Sequence, residues 1–375
     1  MTLIILDART ATDHFPGIGR YVVNLSGALQ QVAPDLDLRL LRDPTAPTQR
    51  LTLPNLPTID CAVSPFTLSQ QWRVRQALRG IRTALYHSPY YLMPYRPGMA
   101  AVFTCHDLIP LIFPQYFKAR QRLIYRFTHQ LALNAAQLTI AVSQSTKNDL
   151  RRFFRVNPDR IVVIHEGVDA HFQPPSRAEI DRVKQQYALP DRYVLYFGSN
   201  KPHKNLVCLI EAFARLATGD QGSEIGLVIG GHWDRRYPEA KQAVEKLGLA
   251  DRVYFIGPVP EADLPALYSS AAVFVFPSQY EGFGLPVLEA MACGTPVVCS
   301  NRSSLPEIAG DTAVLCDPDD AAAVAQAIAQ IIFDPAQRVE RRERSLARAT
   351  QFTWERTAQQ TTAAYRAVLS QTDSK

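Results

Sequence analysis

The sequence predicts an α/β protein of two domains, each built on a parallel sheet with helices on both faces. Three observations carry that reading. Short apolar runs of strand length alternate with helical patterns from one end of the chain to the other, as successive βαβ units require. The 375 residues, 47% of them hydrophobic, supply enough apolar material for two cores. In the second half the order strand, Gly-rich turn, helix occurs twice with polar side chains in the turn, the design that binds anions at a helix N-terminus.

Taken in order, Leu3 to Leu6 reads as the first strand. A loop with Asp7 and Arg9 leads to the turn Pro16-Gly17-Ile18-Gly19-Arg20 and a helix from Tyr21 to Val32. Val22 occupies the third glycine position of a dinucleotide fingerprint, so this segment predicts only a loop entering a helix. Residues 35–65 are Pro-rich, with one strand at Leu38 to Leu41; Asp35-Leu36-Asp37 has metal-binding spacing but no Gly-rich phosphate context. A helix from Leu68 to Arg79 and a strand from Ala84 to His87 precede the loop Ser88 to Pro94, whose tyrosines either face a sugar ring or pack locally. The strand Ala101 to Cys105 runs into His106-Asp107, where parallel sheets place ligand-contacting residues, and His106 is a candidate site residue. A helix through Ala136, a strand from Leu138 to Val142, a helix capped by Ser143 or Ser145 and a strand from Ile161 to Ile164 complete this half.

Residues 170–192, with Pro174-Pro175, read as a linker zone. The strand Tyr193 to Phe197 then enters the turn Gly198-Ser199-Asn200-Lys201-Pro202-His203-Lys204-Asn205 and the helix Leu206 to Ala217, an anion design with added cations that suits a diphosphate. Further strands are Ile225 to Ile229, Val253 to Ile256, Val273 to Phe276, Val297 to Cys299 and Ala313 to Leu315. In the turn after Phe276, Gly282 and Gly284 let the backbone bend closely, and Pro286 suits the first turn of a helix. Glu281 lies in this turn and Glu289 about two helical turns further on, so the two can line one pocket at different depths, and a carboxylate there can accept from both hydroxyls of a ribose. Helices at Ala321 to Ile332, Pro335 to Ala349 and Thr353 to Leu369 end the chain, and Trp354 and Tyr365 predict that the last one docks.

Six scattered cysteines without metal spacing read as free, buried thiols. No apolar stretch reaches ~18 residues and no signal sequence opens the chain, which predicts a cytoplasmic, non-spanning protein. The net charge is +5, with the positive excess in residues 1–170. Arginines concentrate among aromatics in Tyr116 to Phe127 and Lys147 to Arg160, either as a peripheral contact with anionic lipid headgroups or a phosphate-bearing acceptor, or as a solvated helix face. No nucleic-acid recognition motif accompanies the charge.

The segments GIGRY, SPYY, CHDLIP, AVSQSTKNDL, HEGVD, GSNKPHKN, IGPVPEADLPALY, EGFGLPVLEAMACGTPVV and FTWERTAQQT span nearly the whole chain. Together they resemble the GT4 family of retaining glycosyltransferases. That resemblance implies the GT-B architecture, two Rossmann-like, doubly wound parallel-sheet domains facing a cleft: residues 1–170 for the acceptor, with a crossing helix at 353–375, and residues 171–352 for the nucleotide sugar. It implies catalytic roles for Glu281, His106 and Lys204, with Lys204 on the diphosphate and His106 near the reacting sugar. It implies donor contacts from Gly17 and Gly19 at the β-phosphate, from Ser199 and His203 beside Lys204, from Val259 and Leu264 near the base, and from Glu289 at the ribose. Glu281, Gly282, Phe283, Gly284 and Leu285 would meet the transferred sugar and its phosphate. Ser199 stands where many members of the family carry an arginine, so Lys201 or His203 is expected to supply the second cation. The implied reaction is retaining transfer of a hexose from a UDP-glucose or GDP-mannose type donor to a glycan or lipid-linked saccharide in envelope or exopolysaccharide synthesis, without metal or cofactor. A glycoside hydrolase, a GT-B epimerase or phosphorylase, and a non-catalytic nucleotide-sugar binder are the rival readings.

Overall fold

A computed structural model describes residues 2–12, 16–46, 52–217 and 224–373. The chain divides into two units, residues 1–167 with 353–375, and residues 168–352.

The first unit contains β1 (Thr2–Asp7), α1 (Pro16–Val32), β2 (Leu36–Arg42), β3 (Thr58–Asp60), α2 (Gln70–Ala77), β4 (Leu85–Ser88), β5 (Ala100–Cys105), α3 (Ile109–Ile112), α4 (Ala119–Ala135), β6 (Leu138–Ala141), α5 (Gln144–Phe153) and β7 (Ile161–Val163). Its strands form a parallel sheet in the order β3-β2-β1-β4-β5-β6-β7. Successive side chains of β1 point to opposite faces, so Ile4 and Leu6 join one apolar layer while Leu3 and Ile5 join the other. The Ile4 layer is closed by α1 and by α14 (Trp354–Asp373), which returns to this unit and buries Trp354, Ala358, Tyr365 and Val368. At about 1.5–3 kcal/mol for each large apolar side chain removed from water, α14 is an integral part of this core.

Polar groups are threaded through the same layer. The Tyr21 hydroxyl lies 3.0 Å from Thr104 Oγ1, which lies 2.8 Å from His87 Nε2, and His87 Nδ1 lies 2.6 Å from the Tyr365 hydroxyl, tying α1, β5, β4 and α14 together. Burial pushes His87 down to about 3, so it is neutral at pH 7. At the end of β1, Asp7 and the fully buried Arg9 form an ion pair of 2.6 Å, with Tyr86 donating to Asp7 and Arg9 donating to the Val63 carbonyl and Gln70. That pair is structural.

The second unit contains α6 (Arg177–Gln186), β8 (Arg192–Phe197), α7 (Leu206–Ala217), β9 (Ile225–Gly230), α8 (Glu239–Lys246), β10 (Val253–Gly257), α9 (Leu264–Ser270), β11 (Val273–Phe276), α10 (Leu285–Ala292), β12 (Val297–Ser300), α11 (Leu305–Ala309), β13 (Val314–Cys316), α12 (Ala321–Ile332) and α13 (Pro335–Ala349). Its strands run parallel in the order β10-β9-β8-β11-β12-β13, the sequence order reversing at β8 and β11. Reversal of that kind leaves an open crevice at the carboxyl ends of the two strands.

Several expectations need correction. The segment Pro16 to Arg20 is the first turn of α1 and not a loop, because a proline at a helix start gives up no hydrogen bond. The helix expected to run through Ala136 is divided into α3 and α4, with a short 3-10 turn at Pro114–Tyr116 before α4. The short strand β3 follows Pro57 in the stretch read as irregular. Asp35 and Asp37 are committed separately, to Arg366 at 3.0 Å and Arg39 at 2.8 Å. All six cysteines are buried free thiols. Among the described residues no helix is long and apolar enough to cross a membrane.

Candidate active site

Because β8 and β11 are neighbours, the turns at their carboxyl ends meet. The His203 carbonyl accepts from the Gln279 amide at 2.8 Å and from the Ser278 hydroxyl at 3.1 Å, which locks the turns together. The Lys204 Nζ then lies 2.6 and 2.8 Å from the two carboxylate oxygens of Glu281, with the ring of Phe276 centred 5.1 Å from the ammonium. The two side chains are only 15% and 11% exposed, so this is a partly desolvated pair with Coulomb energy well above that of a surface ion pair.

The backbone around Glu281 is held by residues that sequence reasoning passed over. Ser303 Oγ accepts from the Glu281 amide at 2.9 Å, and the Ser304 hydroxyl bonds the carbonyls of Glu281 and Phe283. Gly284 sits just before α10 at φ 115°, and a Cβ there would lie 2.7 Å from Leu305 Cδ2, so glycine is demanded by both conformation and space. Gly282 and Phe283 are buried, Phe283 lying edge-on to Phe352 at 6.2 Å, and Leu285 opens α10 half-buried. Glu289, on the inner face of α10, accepts from the Tyr268 hydroxyl at 2.9 Å. The two carboxylates therefore have different partners, a cation for Glu281 and a phenol for Glu289.

Burial, and then the charge of Lys204, push His203 down to about 4 against the opposing pull of Glu281. It is neutral at pH 7 in this environment. Lys201, the other residue considered, is exposed. Ser199 is half-buried and its carbonyl accepts from the Tyr196 hydroxyl at 2.7 Å. Val259 is half-buried after β10, while the Leu264 side chain is buried at the start of α9.

Beside this turn, at the ends of β8, β9 and β10, a pocket of about 110 Å³ is lined by Gly198, Asn200, Gly231, Trp233, Lys241 and Phe255. The Lys241 ammonium lies 4.9 Å from the Trp233 ring centre. Sequence reasoning missed Trp233 and Lys241. A signal was present in Gly230-Gly231 directly after a strand, since a Cβ on Gly231 would fall 2.2 Å from the Gly198 carbonyl oxygen.

In the first unit, His106 follows β5 and its Nδ1 lies 3.0 Å from Glu166 Oε1, after β7. The contact orients the ring so that Nε2 lies on the side away from Glu166. Nε2 is buried with no hydrogen-bond partner among the described residues, and the Tyr21 ring stands edge-on at 4.9 Å. Glu166 was quoted in HEGVD without a role, because its partner lies 60 residues away. Gly17 is exposed and Gly19 buried in the first turn of α1. Of the loop tyrosines, Tyr91 stacks on His129 at 3.9 Å and is a packing residue. Among the described residues no cluster of three or more His, Cys, Asp or Glu is placed to hold a metal.

Two parallel-sheet units, the second with its polar turns gathered at the strand ends where the order reverses, are the components of the GT-B fold. Solved structures share this fold: sucrose-phosphate synthase from Thermosynechococcus elongatus at TM-score 0.80 and 26% identity over 99% of this chain and 100% of that one, and Anabaena Alr3699/HepE in complex with UDP and glucose at TM-score 0.77 and 20% identity over 98% and 100%. The chain belongs to the GT4-type glycosyltransferases: the model described as glycosyl transferases group 1 matches residues 178–350, and that described as Glycosyltransferase Family 4 matches residues 16–172. It is 37% identical to the O-antigen chain mannosyltransferase B of Escherichia coli over 81% of this chain and 80% of the relative. It is 31% identical to the serotype-specific mannosyltransferase WbdA of Escherichia coli over 68% of this chain, and that match spans 32% of the longer relative.

Proposed function

We propose that the protein is a retaining hexosyltransferase that moves mannose from a nucleoside-diphosphate donor to a saccharide acceptor, free or lipid-linked, in envelope polysaccharide synthesis at the inner face of a membrane. The observation that carries this reading is the Lys204–Glu281 pair, fixed on two interlocked strand-end turns beside the start of α10. Negative charge grows on a departing diphosphate as the glycosidic bond breaks, and a fixed ammonium beside the positive end of a helix dipole stabilises that charge most where it is largest. On this reading Glu281, beside Lys204, accepts from sugar hydroxyls, and Glu289 from a ribose diol. In the reaction the bond from the anomeric carbon to the phosphate oxygen breaks and the bond to the acceptor oxygen forms on the same face. The acceptor proton passes to the leaving phosphate oxygen. Mannose is supported by the names of the relatives. A hydrolase acting on a nucleotide-free glycan has no need of the cation that Lys204 supplies beside Glu281.

Incubation with GDP-mannose, UDP-glucose and a saccharide acceptor tests this. Formation of an α-linked product from an α-linked donor is expected; an inverted linkage, an isomerised donor with no acceptor product, or tight binding without turnover would each overturn it. Two further results are expected. Activity should survive EDTA, since Lys204 and the helix end supply the positive charge a divalent ion would bring; complete loss restored by added Mg²⁺ or Mn²⁺ would sink metal independence. His106→Ala should reduce kcat by about 100-fold or more while nucleoside diphosphate affinity by calorimetry changes little, as for a group acting at the sugar. Parallel loss of both would assign His106 to the phosphates or to the fold.

A further inference from the structure

Helix α4 is amphipathic the wrong way round for a protein in water. Its inner face buries His129, Ala132 and Leu133, while Leu123 is 70%, Ile124 51% and Phe127 62% exposed. Arg120, Leu123, Ile124 and Phe127 stand at i, i+3, i+4 and i+7, so they form one stripe along the outer surface. Tyr116, three residues before the helix, is a further exposed aromatic. Scattered exposed hydrophobics are ordinary, but a contiguous stripe on one helix marks a contact surface.

The charges around the stripe identify its occupant. Lys118, Arg120 and Arg126 are exposed, and no ion pair engages them among the described residues. Between Asp107 and Asp149 the sequence contains no Asp or Glu at all, whereas Lys118, Arg120, Arg122, Arg126 and Lys147 all fall within it. A second copy packed isologously on this face would bring the same uncompensated positive charge against itself. An anionic bilayer supplies the complement of both features, phosphates for the cations and acyl boundary for the apolar side chains.

We propose that α4 docks on an anionic lipid surface, with Leu123, Ile124 and Phe127 entering the headgroup–acyl boundary and Lys118, Arg120 and Arg126 meeting lipid phosphates. The inference deepens the proposed function, on which it rests only for the cellular face, and vesicle binding tests it without any turnover. The full chain is sedimented with vesicles of phosphatidylcholine alone and of phosphatidylcholine with one third phosphatidylglycerol, at low and high salt. Binding to the mixed vesicles is expected to exceed binding to phosphatidylcholine at least tenfold, and to weaken in high salt. Leu123→Glu/Phe127→Glu should lower the partition coefficient at least tenfold, and Arg120→Gln/Arg126→Gln should weaken it severalfold. Both variants change exposed positions, so thermal unfolding and nucleoside diphosphate binding should stay as in the parent, and loss of nucleotide binding by the parent itself would count against the transferase reading alone. Three results would overturn the proposal: no binding to mixed vesicles, equal binding by the Leu123→Glu/Phe127→Glu variant, or a parent dimer in solution that this variant dissociates.

Discussion

Lys204→Ala is expected to remove nearly all turnover and to lower the stability of the second unit by about 3 kcal/mol, because it leaves the Glu281 carboxylate desolvated and without its cation. Loss of a charge-assisted contact to the diphosphate should weaken nucleoside diphosphate binding by about 10- to 100-fold on its own account. The two effects separate in a double-mutant cycle. Adding Glu281→Ala to Lys204→Ala should restore part of the lost stability, measured by urea unfolding, and none of the lost activity. If calorimetry found nucleoside diphosphate affinity unchanged in Lys204→Ala, the pair would be structural and the phosphate role wrong.

The second large effect concerns acid. His87 and His129 in the first unit are fully buried and held down to about 3, and His203 in the second unit to about 4, in each case mainly by burial. In the unfolded chain each would titrate near its ordinary value, about 6.5. The unfolded state therefore binds more protons than the folded state below that value, and stability is lost as pH falls from about 6.5, levelling off only near the folded values. Each histidine contributes up to about 1.4 kcal/mol per pH unit within its window and about 1.2 kcal/mol between pH 6 and 5, where the unfolded imidazole is still completing its titration, so the first unit should lose about 2.4 and the second about 1.2 from this source. Hydrogen exchange of the full chain, read separately for the two units, measures this. The variant His129→Phe should halve the histidine-linked slope of the first unit and leave that of the second unchanged. Equal slopes in both units of the parent would refute the assignment.

Elements with strong local punctuation were legible in the sequence. The predicted ranges of α7, β11, α12 and α13 coincide with those observed, and α12 and α13 begin after Asp320 and Asp334, whose carboxylates cap the first amides. The turn residues Lys204, Glu281 and Gly284 could be singled out for the same reason. What could not be read were pairings across sequence distance: Lys204 with Glu281, His106 with Glu166, and the Ser303-Ser304 support of the turn all depend on which strands become neighbours. Periodicity also fails to say which face of a helix turns inward. In α4 the longer apolar side chains occupy one stripe, yet the stripe facing the core is the other, filled by His129, Ala132, Leu133 and half-buried Tyr125. The glycines at 17 and 19 suggest a turn but are helical, because propensity is a weak prior beside a proline start and a packed sheet.

The return of α14 to the first unit has a consequence for biosynthesis. The second unit is an insertion within the first: the chain leaves after Gly167 and re-enters at Thr353, and the close fit of Gly167 against the Trp354 backbone, where a Cβ would lie 2.4 Å from its nitrogen, pins departure beside re-entry. On the ribosome the sheet of the first unit is made first, yet the layer holding Ile4, Leu6 and Val102 lacks Trp354, Tyr365 and Val368 until the whole insertion has been translated. At ~5–20 residues per second that interval is roughly 10–40 s. The unit translated second therefore completes its fold first, and the nascent first unit presents an apolar layer covered by α1 alone throughout that time, the period in which a holding chaperone has most to bind.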